Sequence, residues 1–402
     1  MWPRVTREVA EDLAVDAITR DRAGKPPFDE LARLREAGLP ALLTPPGPHG
    51  RGTDWRTACA VIREIAAADS SIGELLGRHH VLSWSARFFG TPEQAEALEL
   101  RTAGEQWVWG GSADIPGAGP ESAGTDPELT LTPAPDGYVL HGRRTFASGV
   151  AVADRLLLGA VCTESGEALM VVVDPAHPAS PPTRRTTGSA SGSPGPAASV
   201  STASRCDRIR CSASSRATST TSPRSPRSPR WRCDSPSSTW AWGSPKGTGR
   251  GAGRQPCHAA RLAARGAGRR GYDERPGSDP YLLLAYGELV AAAHTAAAVV
   301  EPATEALTRG LLAGRGLGVD ERADIAVLVA AAEAVTSRAA LQITTRVLEL
   351  TGGADSLADD PGFDRFWRNA RVLTAQGSST HRLRDIGDHY LNGTHPPLTL
   401  RA

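Results

Sequence analysis

The stretch GYVLHGRRTFASGVAVADRLLL, residues 137–158, decides the fold class of this chain. Its two ends, residues 138–140 and 155–158, have the β-branched and aliphatic composition of strands, and the small-residue turn FASG lies between them at 146–149. Turns rich in Gly, Pro and Asp separate this pair from further strand-like runs at residues 107–109, 129–132 and 169–173. The sequence therefore predicts a small β domain over residues 105–183.

Helical patterns come before the β domain. Leu31 and Leu34 share the apolar face of an amphipathic segment, and further helical patterns follow it. Thr91 with Gln94 three residues later forms a capping-box signature, which marks the start of a short helix. These patterns predict an N-terminal helical domain over residues 1–104.

Longer helical patterns follow the β domain. Residues 281–306 are rich in Ala and Leu, and we expect Pro302 to kink or end this helix. A second helix is expected to run from Asp320 to the glycine pair Gly352-Gly353, and a third to begin near Asp364. The chain is thus predicted to be an α+β protein whose residues 278–402 form a C-terminal helical bundle.

Residues 184–277 do not resemble the rest of the chain. They are dominated by Ser, Arg, Pro, Gly and Thr and have almost no aliphatic periodicity. Such a composition buries too little apolar surface to offset the entropy of ordering the backbone. We therefore expect an aberrant low-complexity segment that is disordered and leaves the β domain incomplete.

Two explanations of this segment stand side by side: a true linker, or a stretch translated in a shifted reading frame. Joining the third base of each codon to the first two bases of the next lets residues 239–242, TWAW, encode Leu-Gly-Leu-Gly. The same shift lets residues 244–247 encode Ala-Glu-Gly, and the two decoded segments together are typical of a buried helix. We favour the frame-shift interpretation, since a true linker has no reason to encode such segments in a spare frame.

Composition excludes several classes of function. The formal net charge is +1, which favours neither a nucleic-acid partner nor a charged membrane surface. Cys59 and Cys162 are isolated in sequence, so we expect no metal site and no disulfide framework. The sequence shows no signal-peptide core and no apolar run that we expect to span a membrane, so a cytoplasmic protein is predicted.

Particular motifs give the order of helices, β domain and helices a specific resemblance. The segments FGTPEQAEAL (89–98), WVWGG (107–111), the 137–158 strand pair, GFDRFWRNARVLT (362–374) and GDHYLNGT (387–394) resemble the acyl-CoA dehydrogenase superfamily. They are most similar to its monooxygenase-like branch. The resemblance covers about three quarters of the chain, everything except the aberrant segment.

This resemblance implies a flavin cofactor, FAD or FMN, between the β domain and the C-terminal helices. It implies that Trp107, Trp109, Ser148 and Gly149 contact the flavin ring, although the two tryptophans also suit the core of the β domain. The resemblance also implies that Gly352, Gly353 and Arg368 contact the cofactor. Each has a structural alternative: the two glycines could form a helix C-cap, and Arg368 could form an ion pair.

The expected position of the catalytic group departs from the family pattern. Acyl-CoA dehydrogenases often carry a catalytic Glu base just after the helix that corresponds to the one beginning near Asp364. The monooxygenase-like branch carries a proton-handling His at this place. This sequence has Gln376 and Gly377 there instead. A Gln side chain can hydrogen-bond a substrate oxygen but takes no proton at neutral pH. His79, which shares a helix face with Ile72 and Leu75, is the alternative proton-handling candidate, and a lone helical His is more often structural.

The resemblance therefore implies a flavin-dependent oxidoreductase, monooxygenase-like, that uses reduced flavin and oxygen on a small organic substrate. A separate flavin reductase and a homotetramer built through the C-terminal bundle are the implied partners. Two alternatives stay open: an acyl-CoA dehydrogenase that oxidises a CH-CH bond with a base from elsewhere, and a non-catalytic or inactive frame-shifted product.

Overall fold

The computed structural model describes residues 2–113, 129–134, 137–146, 149–175, 198–201, 204–206, 280–351, 362–375 and 379–396. In chain order these residues form a group of helices, a mixed sheet and a second group of helices. The predicted α+β architecture is confirmed, with the sheet in the middle of the chain.

The N-terminal part consists of helices α1 (Trp2–Ala23), α2 (Phe28–Glu36), α3 (Trp55–Ala68), α4 (Ser70–Phe89) and α5 (Pro92–Glu105). Side-chain caps start three of them. Asp54 accepts from the Thr57 amide at the start of α3, and Asp69 accepts from two amides at the start of α4. The capping box of Thr91 and Gln94 at α5 is confirmed. Leu34, Ile62 and Leu76 lie in the buried core between these helices.

The sheet consists of β1 (Trp109–Gly111), β2 (Leu129–Ala134), β3 (Gly137–Phe146), β4 (Arg155–Cys162), β5 (Ala168–Val173), β6 (Ala198–Ser201) and β7 (Ser204–Cys206). Its order is β1-β4-β2-β3-β6, with β5 also paired to β4 and β7 also paired to β3. Trp109 lies opposite Arg155 where β1 and β4 pair in parallel. The short 3-10 helix Val150–Val152 connects β3 to β4, so the two ends of the 137–158 stretch both enter the sheet.

Strands β6 and β7 fall inside residues 184–277, where the sequence predicts disorder. Both pair antiparallel with β3, with Val200 opposite Arg144 and Arg205 opposite Val139. The other edge of β3 pairs with β2, and an unpaired edge would leave backbone N–H and C=O groups without partners, which an extended segment satisfies. The other residues of 184–277 lie outside the described part of the chain, and their predicted disorder stays a prediction.

The C-terminal part consists of α6 (Pro280–Ala313), α7 (Val319–Thr351), α8 (Asp364–Ala375) and α9 (Ser379–Asn392). Helices α6 and α7 pack along each other, and α8 and α9 both pack on α7. Helix α6 continues through Pro302 and does not end there, contrary to one of the two expectations from the sequence. Leu307 and Ile325 belong to the apolar cluster between α6 and α7.

One described helix segment, Leu283–Ala313 within α6, is long and apolar enough to cross a membrane by length and composition. The expectation that no apolar run reaches this length is therefore wrong. Helix α6 is also tied to α3, because Arg63 pairs with Glu301 at 3.1 Å and Arg56 with Glu305 at 3.5 Å. A bundle helix meets the same two criteria, so they do not by themselves place the helix in a bilayer.

Candidate active site

His79 on α4 is buried and holds two distant segments together. Its Nδ1 accepts a hydrogen bond from the Trp109 backbone N–H at 3.1 Å, and its Nε2 lies 2.8 Å from the Pro40 carbonyl oxygen. Because Nδ1 must be free to accept, the ring proton lies on Nε2, which donates to Pro40. Burial lowers the pKa of His79 to about 4, while the Pro40 hydrogen bond and Asp154 act in the opposite direction. The ring is therefore neutral at pH 7 and ties α4 to β1.

His80, the next residue, is fully buried and in ring contact with His79, with centroids 4.9 Å apart. Neither of its ring nitrogens has a hydrogen-bond partner among the described residues. Burial, and then the neighbouring His79, hold the pKa of His80 well below its usual value. Both histidines are thus buried and neutral at pH 7.

Trp107 and Trp109 lie inside the protein with their indole rings enclosed. The Trp109 Nε1 donates to the Thr102 hydroxyl at 2.9 Å. The Trp107 ring contacts two guanidinium groups, Arg155 at 3.9 Å and Arg101 at 4.6 Å from the ring centroid. Both side chains are also part of the apolar cluster under the sheet. Their predicted contact with a flavin ring stays a prediction, and the core packing that we weighed against it is present.

Asp154 fastens β1 to the segment that follows the FASG turn. Its Oδ2 accepts from the Val108 backbone N–H and from Arg35 Nη2, both at 2.7 Å. Its own N–H donates to the Val108 carbonyl at 2.8 Å. One side chain therefore sets the spacing between β1, the turn after β3 and helix α2. Asp154 lies in the quoted 137–158 stretch, but no role was predicted for it.

Two glycines allow β1 and the FASG turn to approach closely. A Cβ on Gly110 would lie 2.8 Å from the Ala153 Cβ and 3.3 Å from the Gly149 carbonyl oxygen. Gly149 itself has φ of +79°, a left-handed conformation that favours glycine, and a Cβ there would lie 3.1 Å from Leu75. The structure thus brings together backbone from both segments that were predicted to contact the flavin.

Arg368 lies on α8 and forms ion pairs with Asp21 of α1, at 2.5 Å, and with Asp364, at 3.0 Å. The Asp21 pair docks α8 against α1, and the Asp364 pair lies within α8; both correspond to the structural alternative considered for this residue. Ser148, Gly352, Gly353 and Gln376 lie outside the described residues, so the structure gives no geometry for these predicted site residues.

A cavity of about 510 Å³ lies where α1, α2, α4, α8 and the turn after β3 meet. This volume falls within the usual range of small-molecule sites, about 300–1,000 Å³. Gly149 and Leu75 line one end, next to the FASG turn, and Arg365 and Asn369 of α8 line another. Sequence reasoning missed Arg365 and Asn369. The only available signal was their spacing of four residues within FDRFWRNAR, which places both on one helix face.

Comparisons with known proteins agree with this architecture. The family model for the N-terminal domain of acyl-CoA dehydrogenases matches residues 2–103, and the model for their C-terminal domain matches residues 253–391. The chain is 31% identical over 395 residues to dibenzothiophene monooxygenase of Rhodococcus qingshengii, which covers 98% of this chain and 93% of that protein.

Two further similarities are close in length. The probable FMNH2-dependent monooxygenase SfnC of Pseudomonas putida is 27% identical, with 98% of this chain and 95% of that protein covered. The structure of FMN-bound TdsC from Paenibacillus sp. A11-2 has a TM-score of 0.78 at 25% identity, with 99% of each chain covered. This chain therefore belongs to the acyl-CoA dehydrogenase superfamily, and within it to the monooxygenase-like branch.

Proposed function

We propose that this chain is a monooxygenase that uses reduced FMN and dioxygen on a small organic molecule carrying sulfur or an aromatic heterocycle. The observation that carries the proposal is the 31% identity to a dibenzothiophene monooxygenase along almost the whole of both chains. The FMNH2 dependence in the name of SfnC and the FMN and indole bound in a TdsC structure support the choice of cofactor and of substrate class.

The described residues hold β1 against the FASG turn, and these are the two backbone segments that we propose to contact the flavin. Gly110 and Gly149 let the two backbones approach closely, and the Asp154 hydrogen bonds fix the position of β1. A bound flavin supplies the redox chemistry: one oxygen atom of O₂ enters the substrate, the other leaves as water, and reduced flavin becomes oxidised. Trp107, Trp109, Ser148, Gly149, Gly352, Gly353 and Arg368 remain our proposed contacts to it.

We also propose which side chains contact the substrate oxygen and move a proton. Gln376 would hydrogen-bond a substrate oxygen, since an amide donates and accepts but does not titrate near pH 7. His79 remains the candidate for moving a proton. The ring is neutral and both its nitrogens are engaged, by Pro40 and by the Trp109 N–H, so His79 would have to release one of these partners to move a proton.

The direct test is turnover with a separate flavin reductase. Purified chain, FMN, NADH and the reductase are incubated with benzothiophene, dibenzothiophene or indole under ¹⁸O₂, and products are analysed by mass spectrometry. We expect a product that gains one ¹⁸O atom only when all components are present. Reactions without the chain control for oxidation by free reduced flavin and its hydrogen peroxide, and catalase is added to remove the latter.

The same preparation tests the alternatives. Flavin that is bleached anaerobically by an acyl-CoA would favour the acyl-CoA dehydrogenase reaction over the oxygenase reaction. Absence of both reactions would favour the non-catalytic product. In that case the gene is expressed with residues 184–277 read in the shifted frame, and recovery of FMN affinity assigns the loss to that segment.

We propose further that the chain is a cytoplasmic homotetramer assembled through its C-terminal helices. Exposed apolar side chains on α6 and α9 support this, among them Leu283, Leu284 and Leu391 with 57%, 63% and 84% of their surface exposed. Light scattering on the purified chain measures the mass, and cell fractionation tests the location. Limited proteolysis tests the proposed domain boundaries at residues 104, 183 and 277. We expect the first cuts to fall between residues 184 and 277.

A further inference from the structure

Two arginines, Arg20 and Arg365, line the polar end of the cavity, and Arg368 lies on the same helix as Arg365 without lining it. The three differ in how fully their donors are used. Arg20 contacts Asp16, Glu30 and Asp69 and donates to the Leu13 carbonyl oxygen. An arginine offers five N–H donors, so most of those of Arg20 are engaged.

Arg368 is similarly engaged by Asp21 and Asp364. Arg365, which lines the cavity, makes a single hydrogen bond, from Nη1 to the Ala68 carbonyl oxygen at 3.1 Å, and no ion pair with any described residue. Its Nε is buried without an acceptor. Unlike its two neighbours, Arg365 therefore keeps most of its donors available.

Asn369 lies one helical turn after Arg365 and lines the same cavity. Its side-chain Nδ2 donates to Ser70 Oγ at 2.6 Å and to Ser71 Oγ at 3.1 Å. The residue is only 5% exposed, and its Oδ1 has no partner among the described residues. Buried polar atoms without partners are unfavourable, and this helix face carries two, a donor on Arg365 and an acceptor on Asn369.

The wall beside the FASG turn is apolar, and the charge of the cavity lining is already negative. Ile72, Leu75 and Val152 face the cavity beside the FASG turn. The cavity is lined by the cations Arg20, Lys25 and Arg365 and by a larger number of carboxylates, namely Asp21, Asp29, Glu30, Asp69 and Glu74. An additional anion would be repelled by this excess, whereas a neutral group with a strongly polarised oxygen atom would not.

We propose that this cavity binds a neutral organic molecule with an apolar body and one polarised oxygen atom, which accepts hydrogen bonds from Arg365. Sulfoxides and cyclic amides have this chemistry. The inference rests on the proposed function only in assigning the ligand as a substrate or product of oxygenation. Binding itself requires neither flavin nor turnover.

The test compares three probes that share a phenyl ring: methyl phenyl sulfoxide, thioanisole and benzenesulfinate. Their binding to the full-length chain is measured by isothermal titration calorimetry. We expect the sulfoxide to bind more tightly than thioanisole, which lacks the oxygen, and more tightly than the anionic sulfinate. Arg365→Gln should weaken sulfoxide binding by about tenfold or more, the usual effect of losing a hydrogen bond to a charged group, and leave thioanisole unchanged.

The matched control is Arg346→Gln, which removes an exposed arginine paired with Glu349 on α7. It should bind all three probes as the unsubstituted chain does. If Arg365→Gln unfolds, Ala151→Phe replaces it, because this substitution fills the cavity and should abolish binding of the sulfoxide and of thioanisole.

Each result decides the proposal. Equal sulfoxide affinity in Arg365→Gln and in the unsubstituted chain, or unchanged binding in Ala151→Phe, would overturn the site. Tighter binding of benzenesulfinate than of the sulfoxide would overturn the neutral ligand class. Oxygenation in the reductase assay without an effect of Arg365→Gln on binding would refute the cavity alone, and Arg365-dependent binding without oxygenation would refute the proposed function alone.

Discussion

Replacing His79 by asparagine should change the pH dependence of stability, because this buried imidazole is neutral in the folded protein. Its pKa falls from 6.5 in the free side chain to about 4 when folded. The unfolded chain therefore binds a proton between these pH values that the folded chain does not bind. Each pKa unit corresponds to about 1.4 kcal/mol, so His79 contributes about 3 kcal/mol of stability above pH 6.5 that is lost as the pH falls to 4.

The substitution keeps one of the two contacts of the ring. The amide oxygen of the shorter side chain would stand close to the place of Nδ1 and accept from the Trp109 N–H, while the bond to the Pro40 carbonyl is lost. We expect a loss of about 2–3 kcal/mol at pH 7, from one buried hydrogen bond and the vacated ring volume. His80 titrates in the same direction and keeps part of the pH dependence in the variant.

The assay is urea unfolding of both proteins from pH 4.5 to 8. The free energy of unfolding should fall less steeply below pH 6.5 in His79→Asn than in the unsubstituted chain, by up to one proton's worth of slope. His49→Asn, on an exposed loop, controls for the removal of an imidazole elsewhere. Identical slopes for the unsubstituted chain and His79→Asn would refute the assignment of His79 as a buried, neutral bridge.

Two further predictions concern the edge where β1 meets the FASG turn. Asp154→Ala should lower the free energy of unfolding by about 2–3 kcal/mol, because it leaves the Val108 N–H without a hydrogen-bond acceptor. It should also weaken FMN binding measured by fluorescence. The control Asp174→Ala, which removes a partly exposed carboxylate, should lower the free energy of unfolding by less than about 1 kcal/mol. Gly110→Ala should destabilise by about 1–3 kcal/mol in thermal melts because its Cβ meets Ala153, and Gly287→Ala, in open space on α6, should stabilise by about 0.5–1 kcal/mol. A mild Asp154→Ala, or a Gly110→Ala as stable as Gly287→Ala, would contradict this account of the edge.

Local signals in the sequence were sufficient for the element types and their order. The Thr91 and Gln94 box starts a helix because its hydrogen bonds are made within one turn of chain. The aliphatic and β-branched composition of residues 138–140 and 155–158 likewise needs no distant partner to be recognised. Composition also marked residues 184–277 as unlike the rest. Composition did not reveal that residues 198–201 and 204–206 pair with β3. An open strand edge pairs through backbone hydrogen bonds, which do not depend on a particular side-chain pattern.

The site depended on contacts between residues far apart in the chain. The sequence singled out His79 by its helix face, yet its bonds to Pro40 and Trp109 cross 39 and 30 residues and leave it a neutral bridge. Arg365 lies in the quoted segment 362–374 but had no predicted role, and it differs from Arg368 in forming no ion pair with a described residue. Helix caps and strand periodicity are short-range properties that the sequence carries by itself. Ion-pair partners, burial and cavity walls are set only when separate elements pack together, and the tertiary structure alone decided them.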